Sequence, residues 1–554
     1  MVMKMCSYIR TRQLIFTLAL LIMSAGSYLS GQESVFDYYY RIYFKDKGEN
    51  SVGDYLPRNL LSERAMARRQ KAGIPLLDIR DIPVCTSYIN QIYSAGYELH
   101  CTSKWMNSAL FKSSGSKDID QLSDFPFVKE VRIVKSPSSK TLHNDKLDFL
   151  VEQSSIPPYD RPITMINGGP LHETGYEGKG ILIAVLDGGF LNTEKITSLI
   201  PLRNREGIKT LFDFVENDES VFDHSNHGTA VLSVLAGIIP GSIQGTAPAA
   251  DYLLLRTEDT ETEFPVEEDF WVAGAEFADS AGADIISSSL GYYSFDDQTL
   301  DYKYSDIDGN TAFVTQGADI AASKGILVVN SAGNERDKIW KYIVAPSDGD
   351  SVIAAGAVDG DKIISLFSSA GPSADGRMKP DFVTMGVQVA VQVEASYIGR
   401  ANGTSFSCPV LSGMCASLMQ AVPEAGNMDI IYALRRASDK FGLQPDSLYG
   451  YGVPDFVTAL EDLQESFLPK PENESSIGPN PFTGDINIVF KHDPCQLKIE
   501  IFSVSGRLVA RRNFSSYAGR YLRISDLQGM EQGIYIIRLI TPDKIFTHKV
   551  IKIN

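Results

Sequence analysis

Ser405 lies in the stretch Gly403-Thr404-Ser405-Phe406-Ser407-Cys408-Pro409. It is followed by Val410-Leu411-Ser412-Gly413-Met414-Cys415-Ala416-Ser417-Leu418, with no charge before Glu424. A run of small and apolar residues this long reads as a helix buried nearly all round. The serine then sits at the positive end of that helix, where a developing anion is stabilised. Pro409 is expected to be tolerated as part of the first turn, whose amides have no helical partner. A hydroxyl in that place can act as a nucleophile if a base takes its proton and a carboxylate orients the base. Taken alone, such a serine is an ordinary helix N-cap.

Three other positions offer the missing parts. Asp187 ends the apolar run Ile181-Leu182-Ile183-Ala184-Val185-Leu186 and precedes Gly188-Gly189. His227 opens His227-Gly228-Thr229-Ala230-Val231-Leu232, another small, apolar helix start. Asn334 closes Val328-Val329-Asn330-Ser331-Ala332-Gly333-Asn334. Singly these are a turn aspartate, a structural histidine and a loop amide. Together they match what acyl transfer needs: serine to attack, histidine to move the proton, aspartate to hold the imidazolium and an amide for the oxyanion.

The elements that must position these residues are legible as a pattern. Between residues 160 and 462, apolar strand-like runs at 181–186, 252–255, 284–287, 325–330 and 352–357 alternate with helical patterns. This predicts an α/β domain with a doubly wound, mostly parallel sheet, whose chemistry sits at the carboxyl ends of the strands. Residues 32–150 read as a small α+β, ferredoxin-like unit and a linker. Its strand starts at Tyr38-Tyr39-Tyr40-Arg41-Ile42-Tyr43-Phe44, and residues 60–71, rich in arginine and lysine, read as a surface helix. After the proline-broken linker 467–476, residues 477–554 alternate in the manner of strands and predict a small β-sandwich.

Composition narrows the function classes. The chain has 554 residues, 44% hydrophobic and 22% charged, with a net charge of -18. That balance argues against nucleic acid as a partner. Lys4, Arg10 and Arg12, a short apolar core and small residues up to Gly31 describe a secretory signal peptide over 1–31. No later stretch reaches the length of a membrane span, so export without an anchor is expected. Six cysteines do not build a disulfide framework in a chain of this size. Cys408 and Cys415 are roughly 10 Å apart on one helix, too far to bridge. Cys85 and Cys101 are left as a pair that could bond.

The motifs Asp187-Gly188-Gly189, His227-Gly228-Thr229, Ser331-Ala332-Gly333-Asn334 and the Ser405 stretch, in that order, resemble the subtilisin-like serine peptidases, or subtilases. The resemblance implies a secreted serine endopeptidase working through an acyl-enzyme, with protein or peptide substrates. Asp187 would orient, His227 act as base and acid, Ser405 attack, and Asn334 donate to the oxyanion beside the Ser405 backbone N–H. The family usually carries a hydroxyl residue after the aspartate; Gly188 here implies one hydrogen bond fewer on that carboxylate, with activity tuned rather than lost. Ser287-Ser288-Ser289-Leu290-Gly291-Tyr292 is similar to the family's segment that pairs with a bound peptide. Ser289-Leu290-Gly291 and Ala332-Gly333-Asn334 would wall the primary pocket. Val344 would form its floor and favour small or medium apolar side chains.

Other segments carry readings of their own. The acidic stretch Glu258, Asp259, Glu261, Glu263, Glu267, Glu268 and Asp269 is either a solvated face or a rim favouring basic substrates. No cofactor is required for the chemistry. Asp306-Ile307-Asp308-Gly309-Asn310 resembles the start of a calcium loop without its closing glutamate; it reads as a turn, with a structural calcium as the alternative. Residues 32–135 resemble a subtilase propeptide of Bacteroidetes type, through Leu61-Ser62-Glu63-Arg64-Ala65 and Ser103-Lys104-Trp105-Met106-Asn107. That implies a latent precursor inhibited by its own propeptide and cut within residues 136–159. Pro479-Asn480-Pro481-Phe482, Ser505-Gly506-Arg507 and Gly533-Ile534-Tyr535 resemble the type IX secretion sorting domain. They imply delivery by that machinery to the medium or the outer cell surface. The rival from another class is a catalytically inactive relative serving as a surface binding module. A lipase or esterase is disfavoured by the absence of a Gly-x-Ser-x-Gly elbow.

Overall fold

The computed structural model describes residues 38–553 apart from 117–118, 138–146, 148–158, 396, 441, 443, 468–470, 516, 518 and 525–526. The signal-peptide reading and most of the expected maturation region lie outside the described residues.

In the N-terminal unit, β1 (Tyr38–Phe44) buries Tyr40, Ile42 and Phe44 on one face, the period of a strand with one face in a core. It runs down the middle of an antiparallel sheet with β2 (Glu98–Ser103), β3 (Ser108–Ser113) and β4 (Val128–Lys135), in the order β2-β3-β1-β4. Helices α1 (Glu63–Lys71) and α2 (Thr86–Ser94) lie between β1 and β2. The order is that of a ferredoxin-like fold. Helix α1 is not a surface helix: Arg68 and Arg69 are buried. Cys85 and Cys101 are free thiols. Cys85 faces Gly48, whereas Cys101 packs towards Leu110 and Phe270.

The central unit holds seven parallel strands: β5 (Leu182–Asp187), β6 (Ile208–Asp213), β7 (Asp251–Arg256), β8 (Ile285–Ser288), β9 (Leu327–Ser331), β10 (Val352–Val358) and β11 (Phe382–Met385). Their order is β11-β10-β9-β8-β5-β7-β6. Strand β5 is therefore where the winding changes direction, and a crevice opens at the strand ends there. The strands at 208–213 and 382–385 escape a search for long apolar runs. Both lie at sheet edges; the first is half-buried and mixed in polarity, and the second has four residues. Helices α3 (His227–Ala236) and α6 (Thr404–Ala421) pack with β5, β9 and β10 in one large core. Helices α4 (Val266–Ala281) and α5 (Phe313–Ser323) cover the other face.

A helix over Phe456–Phe467 closes this unit, and strand Ser475–Gly478 opens the next. The C-terminal strands form one antiparallel sheet of three and one of four around Phe482, Ile488, Ile499, Ile537 and Leu539. This is the small β-sandwich. Among the described residues, no helix is long and apolar enough to cross a membrane.

Candidate active site

Asp187 is the last residue of β5 and is fully buried. Its Oδ1 accepts from His227 Nδ1 at 2.8 Å and from the Gly188 amide at 2.8 Å. His227 is the first residue of α3, so a strand end and a helix start meet at this bond. Nδ1 is fixed as the donor by the carboxylate, which leaves Nε2 as the nitrogen able to take a proton. Among the described residues, no hydrogen-bond partner meets Asp187 Oδ2. Position 188, where the resemblance expects a hydroxyl residue, is glycine here. An added Cβ there would come within 2.5 Å of Leu147 Cδ1 and 2.8 Å of Thr260 Cγ2.

Ser405 is the second residue of α6 and is 8% exposed. The Phe406 ring beside it lies 6.1 Å from the His227 imidazole, centre to centre. Every residue of α6 from Thr404 to Met419 is buried, as the uncharged run requires. Pro409 needs a different account from the one its sequence position suggests. It stands beyond the first turn, so it withholds a helical hydrogen bond from the Ser405 carbonyl; the Ser289 hydroxyl donates to that oxygen instead, at 2.9 Å. Asn334 Oδ1 accepts from the Thr404 amide at 2.9 Å and from the Thr404 hydroxyl at 3.0 Å. Two donors on the oxygen fix the amide's orientation, so its NH₂ is the end left to donate. Thr404 in this role and the Ser289 hydroxyl were not identified from the sequence. A proline four residues after the serine was the available signal.

A cleft of about 710 Å³ runs past Ser405, Asn334, Ser289, Leu290, Gly291, Gly333 and Val344. Leu147, from the connection to the N-terminal unit, also lines it. Ala332, expected in a pocket wall, is fully buried and does not line the cleft; its neighbours Ser331 and Gly333 do. A Cβ at Gly291 would lie 2.3 Å from Val344 Cγ2, and one at Gly333 3.1 Å from the same atom. The valine side chain therefore fills the gap between the two walls. Gly333 also has φ 105°, which favours glycine.

Neither reading of the acidic stretch describes all of it. Glu258, Glu261 and Glu263 line the cleft. The acids of α4 instead receive the N-terminal unit. Arg41 binds Asp269 through Nε at 2.9 Å and Nη2 at 2.6 Å. Glu276 accepts from Ser103 Oγ at 2.6 Å, Trp105 N at 3.0 Å and Lys104 N at 3.1 Å. Asp279 takes Arg68 and Arg69. At the cleft edge Lys135 reaches Asp259 at 2.8 Å. Burial pushes the Asp259 carboxyl up, but the charge and hydrogen bond of Lys135 outweigh it and hold it at about 2.

Two carboxylate groups bear on metal binding. Glu258, Glu263 and Glu267 bring oxygens within 4.8 Å of one another. Glu267 already accepts from the Asp259 and Phe264 amides, and Glu258 from the Tyr292 hydroxyl. In the Asp306–Asn310 segment, Asp308 accepts from the Asn310 amide and from both the amide and hydroxyl of Thr311. That carboxylate is used by its own turn.

Three family models match the chain. Residues 178–452 match the Subtilase family, 39–147 the Peptidase S8 propeptide domain of Bacteroidota, and 476–554 the secretion system C-terminal sorting domain. Subtilisin E of Bacillus subtilis is 29% identical over 338 residues, covering 60% of this chain and 78% of that protein. A subtilisin of Bacillus pumilus is 28% identical over 303 residues, covering 54% and 98%. The serine protease AprX of B. subtilis is 26% identical over 306 residues. The sorting domain marks a protein that is secreted or held at the outer surface. With a buried Asp-His pair at the switch point of a parallel sheet and a serine helix beside it, these matches identify the chain as a serine endopeptidase of the subtilase family, made as a precursor with a propeptide and a C-terminal sorting domain.

Proposed function

We propose that Ser405, His227 and Asp187 act as the catalytic triad, with Asn334 and the Ser405 backbone N–H as oxyanion donors. The observation that carries this reading is the buried His227–Asp187 bond of 2.8 Å, which commits Nδ1 and leaves Nε2 for the proton of Ser405. Ser405 Oγ attacks the scissile carbonyl as His227 takes its proton. The tetrahedral oxyanion is held by the donors. His227 then returns the proton to the leaving amine, leaving an acyl-enzyme. Water repeats the sequence to release the acid. Nucleophile, base and donors are all residues of the chain, so the acyl transfer itself requires no cofactor.

Val344 between Gly291 and Gly333 supports a primary pocket for small or medium apolar side chains. The ion pairs from Arg41, Arg68, Arg69 and Lys135 onto catalytic-domain acids, with Leu147 in the cleft, support the propeptide as the enzyme's own inhibitor. The sorting domain supports the secretion machinery as the partner of the C-terminal unit. The matured enzyme is to be treated with a fluorophosphonate probe and a protein substrate. Labelling and hydrolysis, both lost in Ser405→Ala, are the expected result. A mature wild type that neither labels nor hydrolyses would return the chain to the inactive binding-module reading.

A further inference from the structure

Pro409 stands four residues after Ser405 within α6. A proline at that spacing offers no N–H to the Ser405 carbonyl, and its ring crowds that same oxygen. A buried carbonyl still requires a donor. The Ser289 hydroxyl supplies it at 2.9 Å. Ser289 follows β8 directly, is 4% exposed and lines the cleft. In the other direction, Ser405 Oγ lies 3.5 Å from the Ser289 carbonyl oxygen, at the edge of hydrogen-bond range. The peptide that carries Oγ is therefore oriented from the segment that borders the substrate.

The rest of the helix start is held without Ser289. Thr404 is tied to Asn334, and the Ser407 hydroxyl donates to the Thr404 carbonyl at 2.9 Å. Cys408 Sγ meets the Ser288 carbonyl at 3.4 Å. Loss of the Ser289 hydroxyl would thus leave the helix in place and free one peptide, that of Ser405.

We propose that the Ser289 hydroxyl is a positioning residue. Its bond to the Ser405 carbonyl fixes the line of attack of Ser405 Oγ, and Pro409 is the reason the bond is needed. The inference rests on Ser405 being the nucleophile. A small displacement of a nucleophile costs rate rather than affinity, so Ser289→Ala should lower kcat about 10- to 100-fold with KM little changed.

The decisive test is a double-variant cycle on the matured enzyme. Pro409→Ala restores an N–H four residues after Ser405, which can bond its carbonyl within the helix. Ser289→Ala with Pro409→Ala should then recover at least about tenfold in kcat over Ser289→Ala alone, a coupling expected only for groups that share a partner. Multiplicative losses in the double variant would overturn the proposal, as would an effect of Ser289→Ala on KM alone. If Ser289→Ala does not fold, Ser289→Thr and Ser289→Val form a pair of matched shape. The threonine enzyme should exceed the valine enzyme at least about tenfold in kcat, and equal rates would overturn the proposal. An inert wild type would instead sink the nucleophile assignment itself.

Discussion

Asp187 carries its histidine on one oxygen and leaves the other without a partner among the described residues. Leu147 and Thr260 occupy the space a side chain at position 188 would need, so this oxygen gains no donor from there. Asn334 is the reverse case: its oxygen is taken twice by Thr404, so the amide cannot flip without losing both bonds. Asn334→Ala should lower kcat about 10²–10³-fold with little change in KM, the range for one oxyanion donor, itself set by subtilisin. Steady-state kinetics on one peptide substrate decides this, and a change confined to KM would count against the role. At the pocket floor, Val344→Gly removes the group that separates Gly291 from Gly333. Profiling on a peptide library should show selectivity moving towards phenylalanine and tyrosine by ~1–3 kcal/mol, the scale for a few methyl groups in an apolar pocket. The same taste for large aromatics in both enzymes would remove Val344 from the pocket.

Helix α4 serves two masters. Its apolar side closes the catalytic core through Trp271, Val272 and Ala275, and its acids hold the propeptide through Arg41, Arg68, Arg69 and the 103–105 turn. Lone buried charges would destabilise both units; Arg41, Arg68 and Arg69 are paired across the interface, and Glu276 takes hydrogen bonds from the 103–105 turn. Lys135 and Asp259 give the interface a pH dependence of definite sign. In the precursor the Asp259 carboxyl sits at about 2, below the ordinary value near 4. Its contribution to propeptide binding is therefore fully present above pH ~4 and lost as pH falls from ~4 through ~2. Lys135→Met should weaken binding of the separate propeptide to Ser405→Ala enzyme about tenfold at pH 6, a figure discounted for the partial exposure of both groups. The gap between wild type and variant should shrink as pH drops below 4. A gap that stays constant with pH in a binding titration would refute the assignment. Glu276 and Asp269, pushed up by burial, act in the opposite sense in both proteins, so the comparison between them isolates Lys135.

Over the whole molecule, the propeptide and the sorting domain are attached in different ways. The propeptide meets the catalytic unit through buried ion pairs on α4 and through the partly exposed Lys135–Asp259 pair. The C-terminal sandwich meets it through a few polar bonds, among them Tyr176 to the Tyr521 carbonyl at 3.2 Å, Ser515 to Glu173 at 2.9 Å and the Arg520 amide to Gln464 at 2.7 Å. None of these residues lines the cleft. A chain ending at Phe467 should keep kcat/KM within about threefold while failing to leave the cell envelope, since a domain with its own core behaves independently. Peptidase assay and cell fractionation read the two outcomes separately. Loss of activity in the folded, shortened enzyme would show that the sandwich supports catalysis as well as delivery.

The strand-end and helix-start positions of Asp187, His227 and Ser405 could be read from sequence. Each is flanked by a run of small or apolar residues whose burial leaves few choices of element. The ferredoxin-like order and the sandwich were legible for the same reason, since alternation of apolar residues marks strands locally. The edge strands at 208–213 and 382–385 were not: the first is half-wet and mixes polar with apolar residues, and the second, though buried, is only four residues long. The acids of α4 and the arginines of α1 carry the same lesson. A charged residue looks solvated until its partner is known, and Arg41 finds Asp269 across 228 positions of chain. Pro409 was visible, but not its consequence: only packing of β8 against α6 could bring the Ser289 hydroxyl to the carbonyl that the proline leaves bare. Local pattern fixes which groups face inward, whereas the pairing of buried polar groups depends on distances that the chain reaches only after it has folded.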